Sequence, residues 1–253
     1  MIPTYQSVQS VLPQSTTLFA VMPTQPTAAR KVLINNTIAA LISAGIWQLC
    51  DLIYFFAVAA QDQAVFNWKT PGTNTLTENA TPTFTANAGY TGNAVDMSLT
   101  ASYTNALYLQ DNCHIAAFGL TNTATAISDF VITNVTPAGR GQVRTRNSVA
   151  GLISAGAGTA TLSTIADMAP RMLAGDRSDS ANQSVYSNGV FDVTAAVASL
   201  AVVATNVTFL ANGIGGFSDR QIAFGSCGSS LSATQHASLN SIVRGYLTGV
   251  GAI

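Results

Sequence analysis

The chain has 253 residues, of which 8% are charged, whereas an ordinary soluble domain carries about 25%. Its ten Lys and Arg and eleven Asp and Glu give a net charge of −1, which excludes a basic nucleic-acid binder because phosphate neutralisation requires clustered cations. The hydrophobic fraction of 48% excludes a charged, disordered chain. The surface must therefore consist mainly of hydroxyls and amides, and a composition rich in Thr and poor in Lys and Glu favours β-structure.

The N-terminal segment, residues 1–25, is predicted to be an extended arm because prolines interrupt its alternation of polar and apolar residues. Such a segment cannot build its own core and must lie against the body of the protein, a neighbouring subunit or a partner. No secretory signal is expected, because the basic start and apolar run of such a signal are missing. The side chains assigned to the assembly contact of this arm are Tyr5, Val8, Leu12, Phe19 and Met22.

Residues 26–69 are predicted to form a helical lead-in segment. Thr27 can cap a helix over residues 27–44, in which apolar residues recur at helical spacing and which Gly45 ends. The stretch 38–60 is long enough to span a membrane, but Asp51 near its middle would cost about 2.5–3.5 kcal/mol. The sequence therefore favours buried elements here, a short helical turn and then a strand, and no membrane partner is expected.

Residues 70–253 are predicted to be a β-sandwich domain closed by a C-terminal helix. Thr- and Val-rich runs such as 82–86, 142–146 and 183–187 alternate with turn residues, which favours a sandwich over βαβ units. Asn188-Gly189 lies between two such runs and is a strong hairpin signal. Ser232 can cap the closing helix, residues 232–249. The glycine-rich windows expected to be loops or bends are 151–158, 213–216 and 225–228.

Residues for catalysis are scarce. A glycosidase needs two carboxylates about 5–10 Å apart, and Glu78 is the single glutamate of the chain. The nucleophile elbow, the phosphate-binding loop, the dinucleotide fingerprint and the HExxH motif are all missing, so no catalytic residue and no cofactor is predicted. Cys50, Cys113 and Cys227 lack metal or redox spacing and are expected to be free, buried residues.

Two polar clusters remain binding candidates. Asp176, Asp179 and Asn182 indicate a turn first, and a calcium site built from their oxygen atoms is the alternative. No other metal site is predicted. Arg144 and Arg146 are two residues apart and would share one face of a strand. They are expected either to contact a ligand or partner or to form a solvated, ion-paired face.

Several segments, taken in chain order, resemble a family of tailed-bacteriophage virion proteins that carry a concanavalin A-like, laminin G-like jelly-roll domain. The matching segments are Trp47 with Asp51 and Tyr54, Asn67-Trp68-Lys69, residues 82–92, Asn188-Gly189 and residues 217–252. The resemblance covers about residues 26–252. It implies a mainly β fold, a concanavalin A-like jelly-roll β-sandwich with an N-terminal helical segment and a C-terminal helix. It also implies a module that is not an enzyme, because the two carboxylates of the enzymatic branch of this fold are missing.

The function implied by this resemblance is that of a structural protein of the phage particle. It would be made in the bacterial cytoplasm, belong to the tail or an appendage, and be anchored by the arm at residues 1–25. The expected partners are other virion proteins, further copies of the chain and a host-surface glycan. The alternatives are a capsid decoration or cement protein, which copy number in particles would reveal, and a glycan-degrading enzyme, which an assay on host polysaccharide would reveal.

Overall fold

The computed structural model describes residues 10–253 apart from 105, 122, 124–126, 134–139, 148–149, 158, 167–168 and 203–205. Within those residues the chain forms a β-sandwich with helices packed on one of its two sheets. The α-helices are α1 (Pro13–Val21), α2 (Ala28–Ser43), α3 (Gln61–Ala64) and α4 (Ala233–Val250), and a 3-10 helix covers Trp47–Leu49. The helices predicted over residues 27–44 and 232–249 are thus confirmed as α2 and α4.

The ends of these two helices follow from local sequence. The Thr27 hydroxyl accepts a hydrogen bond from the backbone N–H of Arg30 at the start of α2. At the start of α4, Ser232 and Gln235 form a reciprocal capping box. Gly251 ends α4 with a φ of 78°, a left-handed conformation that glycine adopts at little cost.

The strands are short and distributed along most of the chain. In chain order they are β1 (Cys50–Phe55), β2 (Thr77–Asn79), β3 (Thr83–Thr85), β4 (Gly89–Thr91), β5 (Ser98–Ser102), β6 (Cys113–Gly119), β7 (Phe130–Thr133), β8 (Gly141–Asn147), β9 (Ala150–Ser154), β10 (Thr161–Ala166), β11 (Arg171–Arg177), β12 (Asn182–Ser187), β13 (Val190–Ala196), β14 (Asn206–Phe209) and β15 (Gln221–Gly228). The predicted runs at 82–86, 142–146 and 183–187 correspond to β3, β8 and β12.

The described strands form two antiparallel sheets. The first has the order β13-β12-β11-β6-β15-β4-β3, and β1 pairs with β15 on the same side as β4. The second has the order β10-β9-β8-β7-β14-β5-β2. Helix α4 packs on the outer face of the first sheet, where Tyr246 contacts Phe55 of β1, and α2 packs against α4.

Alternating side chains of β1 show this layering. Tyr54 and Phe56 point between the sheets, where their rings lie 5.5 and 4.9 Å from the ring of Phe209 in β14. Phe55 points the other way and contacts Tyr246 of α4, with 4.6 Å between ring centroids. Successive strand residues face opposite sides of a sheet. One uninterrupted apolar strand can therefore pack both against the second sheet and against α4. The apolar run from Leu52 onward is therefore a doubly buried strand, and no described helix has the length and apolarity needed to cross a membrane.

The Asn188-Gly189 hairpin prediction is confirmed between β12 and β13. Both residues have positive φ, 50° and 79°, as a type I′ turn requires. A Cβ on Gly189 would lie 2.8 Å from the Cβ of Asn240 and 2.9 Å from the Cα of Ala237. Glycine is therefore needed here both for the backbone conformation and for the approach of α4.

The prediction of an extended arm over residues 1–25 is corrected for its second half. Residues 13–21 form α1, with Pro13 in the first turn, where the missing N–H of proline leaves no hydrogen bond unmade. The Ser15 hydroxyl donates to Oδ1 of Asn35 in α2 at 2.9 Å. The prediction is wrong here because proline is tolerated in the first turn of a helix and does not by itself indicate an extended chain.

This correction extends to the residues assigned to the assembly contact. Phe19 and Met22 are 8% and 3% exposed and belong to the hydrophobic core, and Leu12 packs partly against it. These three side chains stabilise their own protomer and are not free to anchor it to a partner. Tyr5 and Val8 lie outside the described residues.

The glycine-rich window 225–228 and the first part of the window 151–158, residues 151–154, form strands where loops were expected, whereas residues 155–157 form bends as predicted. Gly151 lies in β9, and Gly225 and Gly228 lie in β15, whereas residues 213–216 form a loop as predicted. A Cβ on Gly225 would lie 2.4 Å from the ring of Phe209, and a Cβ on Gly228 would lie 2.0 Å from the carbonyl oxygen of Leu49. These glycines allow close approach of neighbouring layers, which local sequence does not distinguish from turn formation.

We expect the Gly228→Ala variant to lose about 1–3 kcal/mol of unfolding free energy, because the added methyl group meets backbone that cannot rotate away. The matched control is Gly245→Ala, an exposed interior position of α4 with no atom within 4 Å of an added Cβ. That control should gain about 0.5–1 kcal/mol from helix propensity. Urea unfolding of both variants measures the difference. Equal effects in the two variants would contradict the packing argument.

Candidate functional site

A groove of about 340 Å³ lies on the outer face of the second sheet. Its lining consists of Ser98, Thr100, Asn206, Thr208, Ala211, Gly213, Gly215 and Phe217. The first four are alternate residues of the paired strands β5 and β14, with Thr100 directly opposite Thr208. Alternation sends Leu99 and Phe209 into the core and the hydroxyl and amide groups outward.

The edge strand β2 orients the hydroxyls of β5. The amide nitrogen of Asn79 lies 3.3 Å from Oγ of Ser98 and 3.0 Å from Oγ1 of Thr100, and it donates to both. Both hydroxyl protons then remain available to a ligand. The Asn206 amide and the Thr208 hydroxyl make no hydrogen bond within the described part of the chain. The groove thus presents polar groups whose hydrogen-bonding capacity is only partly used.

The loop that follows β14 forms a wall of the groove. Its shape is fixed by Asn212, whose Oδ1 accepts hydrogen bonds from the backbone N–H of Ile214 at 3.0 Å and of Gly216 at 2.9 Å. Positive φ angles at Gly213 and Gly215 complete the turn. Phe217 is half-buried beside the polar floor, and Ile214 at the loop tip is 57% exposed. The wall therefore adds apolar surface to a polar floor.

Arg144 and Arg146 share one face of β8, as predicted, but they do not line this groove. Thr145 between them points inward, since a Cβ on Gly119 of the first sheet would lie 2.6 Å from its hydroxyl. Burial, followed by the nearby guanidinium groups of Arg140 and Arg220, lowers the pKa of Arg144. Both side chains are half-buried on the outer face of the second sheet. Their role in ligand or partner contact stays a prediction.

The face between the groove and these arginines is covered. Thr208 of β14 lies opposite Val131 of β7, which in turn lies opposite Gln142 of β8. Val131 and Gln142 are each 1% exposed, although both point to the outer side. The Ser128 hydroxyl lies 3.2 Å from Oε1 of Gln142 and donates to it, so this amide is satisfied in part within the sheet face. The groove and the arginines are consequently separate surfaces.

The cluster Asp176, Asp179 and Asn182 forms a turn and a helix contact. The carboxylate of Asp179 accepts hydrogen bonds from the backbone N–H of Ala181 and of Asn182, both at 2.7 Å, and these bonds lower its pKa. The amide nitrogen of Asn182, not its oxygen, faces Asp179. These contacts form the turn that the sequence indicates, and the calcium alternative stays a prediction.

The carboxylate of Asp176 is used at the start of α4. It accepts hydrogen bonds from the Ser230 hydroxyl at 2.7 Å and the Leu231 backbone N–H at 2.8 Å, and lies 3.1 Å from Nε2 of His236. The Glu78 carboxylate is held by the Tyr90 hydroxyl and by the Gln61 amide. These acidic groups tie elements of the fold together, which is a different use from general acid or base catalysis.

The three cysteines are free and buried, as predicted. Burial raises the pKa of the Cys50 and Cys113 thiols to about 12, so these thiols stay protonated and unreactive. Cys113 and His114 point to opposite faces of β6, as expected for neighbours on a strand. His114 instead faces Cys50, with 4.0 Å between Nε2 and Sγ.

Comparison with solved structures identifies the fold as a concanavalin A-like β-sandwich, which confirms the predicted fold class. No protein-family model and no curated protein matches the sequence. Domain 4 of AbnA, a GH43 extracellular arabinanase from Geobacillus stearothermophilus solved with arabinotriose, is 13% identical with a TM-score of 0.52. That match covers 75% of this chain and 97% of the arabinanase domain.

Two toxin chains share the fold. A chain of botulinum neurotoxin type C, whose cell entry depends on two ganglioside molecules, is 10% identical with a TM-score of 0.57. The binding domain of Paraclostridial Mosquitocidal Protein 1 is 11% identical with a TM-score of 0.53. The matches cover 79% and 76% of this chain but only 53% and 52% of the toxin chains, so this chain spans about half their length.

The residues of the groove were not predicted from the sequence. Ser98 and Thr100, like Asn206 and Thr208, alternate with apolar residues, and this alternation indicates strands with one polar face. The pattern does not reveal that the two polar rows lie side by side, because Thr100 and its partner Thr208 are 108 positions apart in the sequence and only the pairing register joins them.

Proposed function

We propose that this protein is a glycan-binding module whose ligand occupies the groove between β5, β14 and the 211–217 loop. The observation that carries the proposal is the row of outward hydroxyls and amides on a sheet face that no described helix covers. A sugar offers hydroxyl groups on its rim and C–H groups on its faces. The polar groups of the groove floor can bond to the sugar hydroxyls, and the ring of Phe217 can pack against the C–H groups.

The size and chemistry of the groove support this proposal. Its volume of about 340 Å³ lies within the range of small-molecule sites, roughly 300–1,000 Å³. Hydroxyls and amides exchange water for sugar hydroxyls without the desolvation of a charge. Two proteins of the same fold carry ligands of this class by their descriptions, arabinotriose and gangliosides. The role proposed here is binding and not catalysis.

We expect isosteric removal of one groove hydroxyl to weaken glycan binding about tenfold, since a hydrogen bond contributes about 0.5–1.5 kcal/mol and its loss strands a polar partner. Thr208→Val and Thr100→Val are the test variants. Thr83→Val, an exposed position on β3 of the first sheet, is the matched control and should bind like the parent protein. Titration of the full chain against a glycan found on an oligosaccharide panel gives the affinities. Unchanged affinity in both groove variants would place the ligand elsewhere.

We further propose that the module belongs to a phage particle, as part of a tail or appendage, and presents this groove to the host surface. The resemblance of residues 26–252 to virion proteins supports this placement. Quantitative mass spectrometry of purified particles tests it: tens of copies or fewer support a tail position. Hundreds of copies would favour the capsid decoration protein, and turnover of host polysaccharide would favour the glycan-degrading enzyme.

A further inference from the structure

We infer that the groove accepts an uncharged segment of a glycan and excludes segments that carry carboxylate or sulfate groups. This inference rests on the proposed function and specifies the ligand class of the same site. It is carried by three observations: the chemistry of the lining, the covered sheet face beside it and the direction of the hydrogen bonds in its floor.

The lining supplies no charge to pair with an ionic ligand. None of its eight residues is ionisable. Moving an anion from water onto such a surface removes part of its hydration without an opposite charge to replace it, which is unfavourable. Neutral sugar hydroxyls avoid that cost, because each can exchange a hydrogen bond to water for one to Ser98, Thr100, Asn206 or Thr208.

The nearest cations on this sheet are shielded from the groove. Arg144 lies on β8, and β7 separates that strand from β14, so about 10 Å of sheet lies between them. Val131 and Gln142 fill this interval, and both are buried. At physiological ionic strength the Debye length is about 8 Å, so an acidic sugar in the groove would gain little from this guanidinium group.

The floor is arranged to donate hydrogen bonds. Because the Asn79 amide nitrogen donates to the Ser98 and Thr100 oxygens, each hydroxyl can donate its own proton to a ligand. Such donors suit the ring, glycosidic and hydroxyl oxygens that every neutral sugar presents. Phe217 adds apolar contact without charge. The groove thus recognises the general features of a neutral glycan chain.

The experiment compares the full chain on matched trisaccharides. Arabinotriose, galactotriose, cellotriose and mannotriose are the neutral probes, and trigalacturonic acid and a sialylated trisaccharide are the acidic probes. Binding is measured at low and at high salt. We expect at least one neutral probe to bind ten times more tightly than either acidic probe, with an affinity that salt does not change. Thr208→Val should weaken that binding, and Thr83→Val should not.

A gain-of-function variant gives an independent readout. Asn206→Arg places a cation at an exposed position of the floor and should raise affinity for trigalacturonic acid at least tenfold at low salt. Acidic probes that bind the parent protein as tightly as neutral ones, in a salt-dependent manner and through the groove, would overturn the inference and leave the proposed function standing. If no probe of either kind binds, the proposed function fails, and the inference fails with it.

Discussion

Replacing Arg220 with Met is expected to lower the free energy of unfolding by about 3–5 kcal/mol, because it leaves a buried carboxylate without its cation. Arg220 and Asp129 are both fully buried, and Nη1 lies 2.7 Å from Oδ1. The second carboxylate oxygen accepts hydrogen bonds from the backbone N–H and the hydroxyl of Thr145, at 2.6 and 2.7 Å. The guanidinium group also donates to the carbonyl oxygens of Ile127 and Arg146. One ion pair thus joins the chain just before β15, the chain just before β7, and β8.

The matched control for this prediction removes both charges. In the double variant Arg220→Met/Asp129→Asn the buried carboxylate is gone, and we expect recovery of at least about 1 kcal/mol relative to Arg220→Met alone. Urea unfolding at neutral pH gives all three free energies. A loss below about 1 kcal/mol in the single variant, or a double variant no more stable than the single one, would show that the ion pair is not what holds these strands together.

Acidification is expected to destabilise the protein through His114. Burial lowers the pKa of this imidazole from 6.5 to about 4, and the hydrogen bond to the Ser229 carbonyl oxygen, at 2.6 Å, opposes this in part. Asp176, His236 and Asp51 are the other titratable groups that act on it. Between pH 6.5 and 4 the unfolded chain binds a proton that the folded chain does not bind. The contribution of His114 is therefore complete above pH 6.5 and falls by about 3 kcal/mol on the way to pH 4.

The His114→Asn variant isolates this effect. Its side-chain amide can still donate to the Ser229 carbonyl oxygen, but it does not titrate. Urea unfolding at pH 7, 6, 5 and 4.5 should show a smaller loss of stability in the variant than in the parent protein, since the carboxylates contribute equally to both. Identical pH dependence in the two proteins would assign acid sensitivity to other groups.

The sequence predicted correctly the helix ends and the hairpin turn that depend on a few neighbouring residues. Thr27 and Ser232 marked the starts of two helices, and Asn188-Gly189 marked a hairpin, because caps and tight turns depend on a few neighbouring residues. Pro13 was misread for the same reason: the sequence shows a proline, and only the packing of the segment against Asn35 decides whether a helix begins there. The role of Gly225 and Gly228 in β15 depends on how closely Phe209 and Leu49 approach them, and the sequence does not show that approach.

The ligand site depends on contacts between distant segments. Asn79, Thr100 and Thr208 come from three strands, and antiparallel pairing places them side by side. A shift of one residue in either register would turn these side chains toward the core. The sequence analysis instead predicted sites at Arg144 and Asp179, because charged residues that are close in sequence can be recognised without knowing the fold.

The sequence by itself determined that this protein is a β-sandwich with a surface of hydroxyls and amides, since 8% charge and abundant Thr admit few other solutions. It also determined the capped helices at both ends of the sandwich. Only the tertiary structure decided which polar strand face is covered by helices and which faces solvent. That choice follows from the packing of α4 on the first sheet, while the groove over the polar rows of β5 and β14 has no described helix above it.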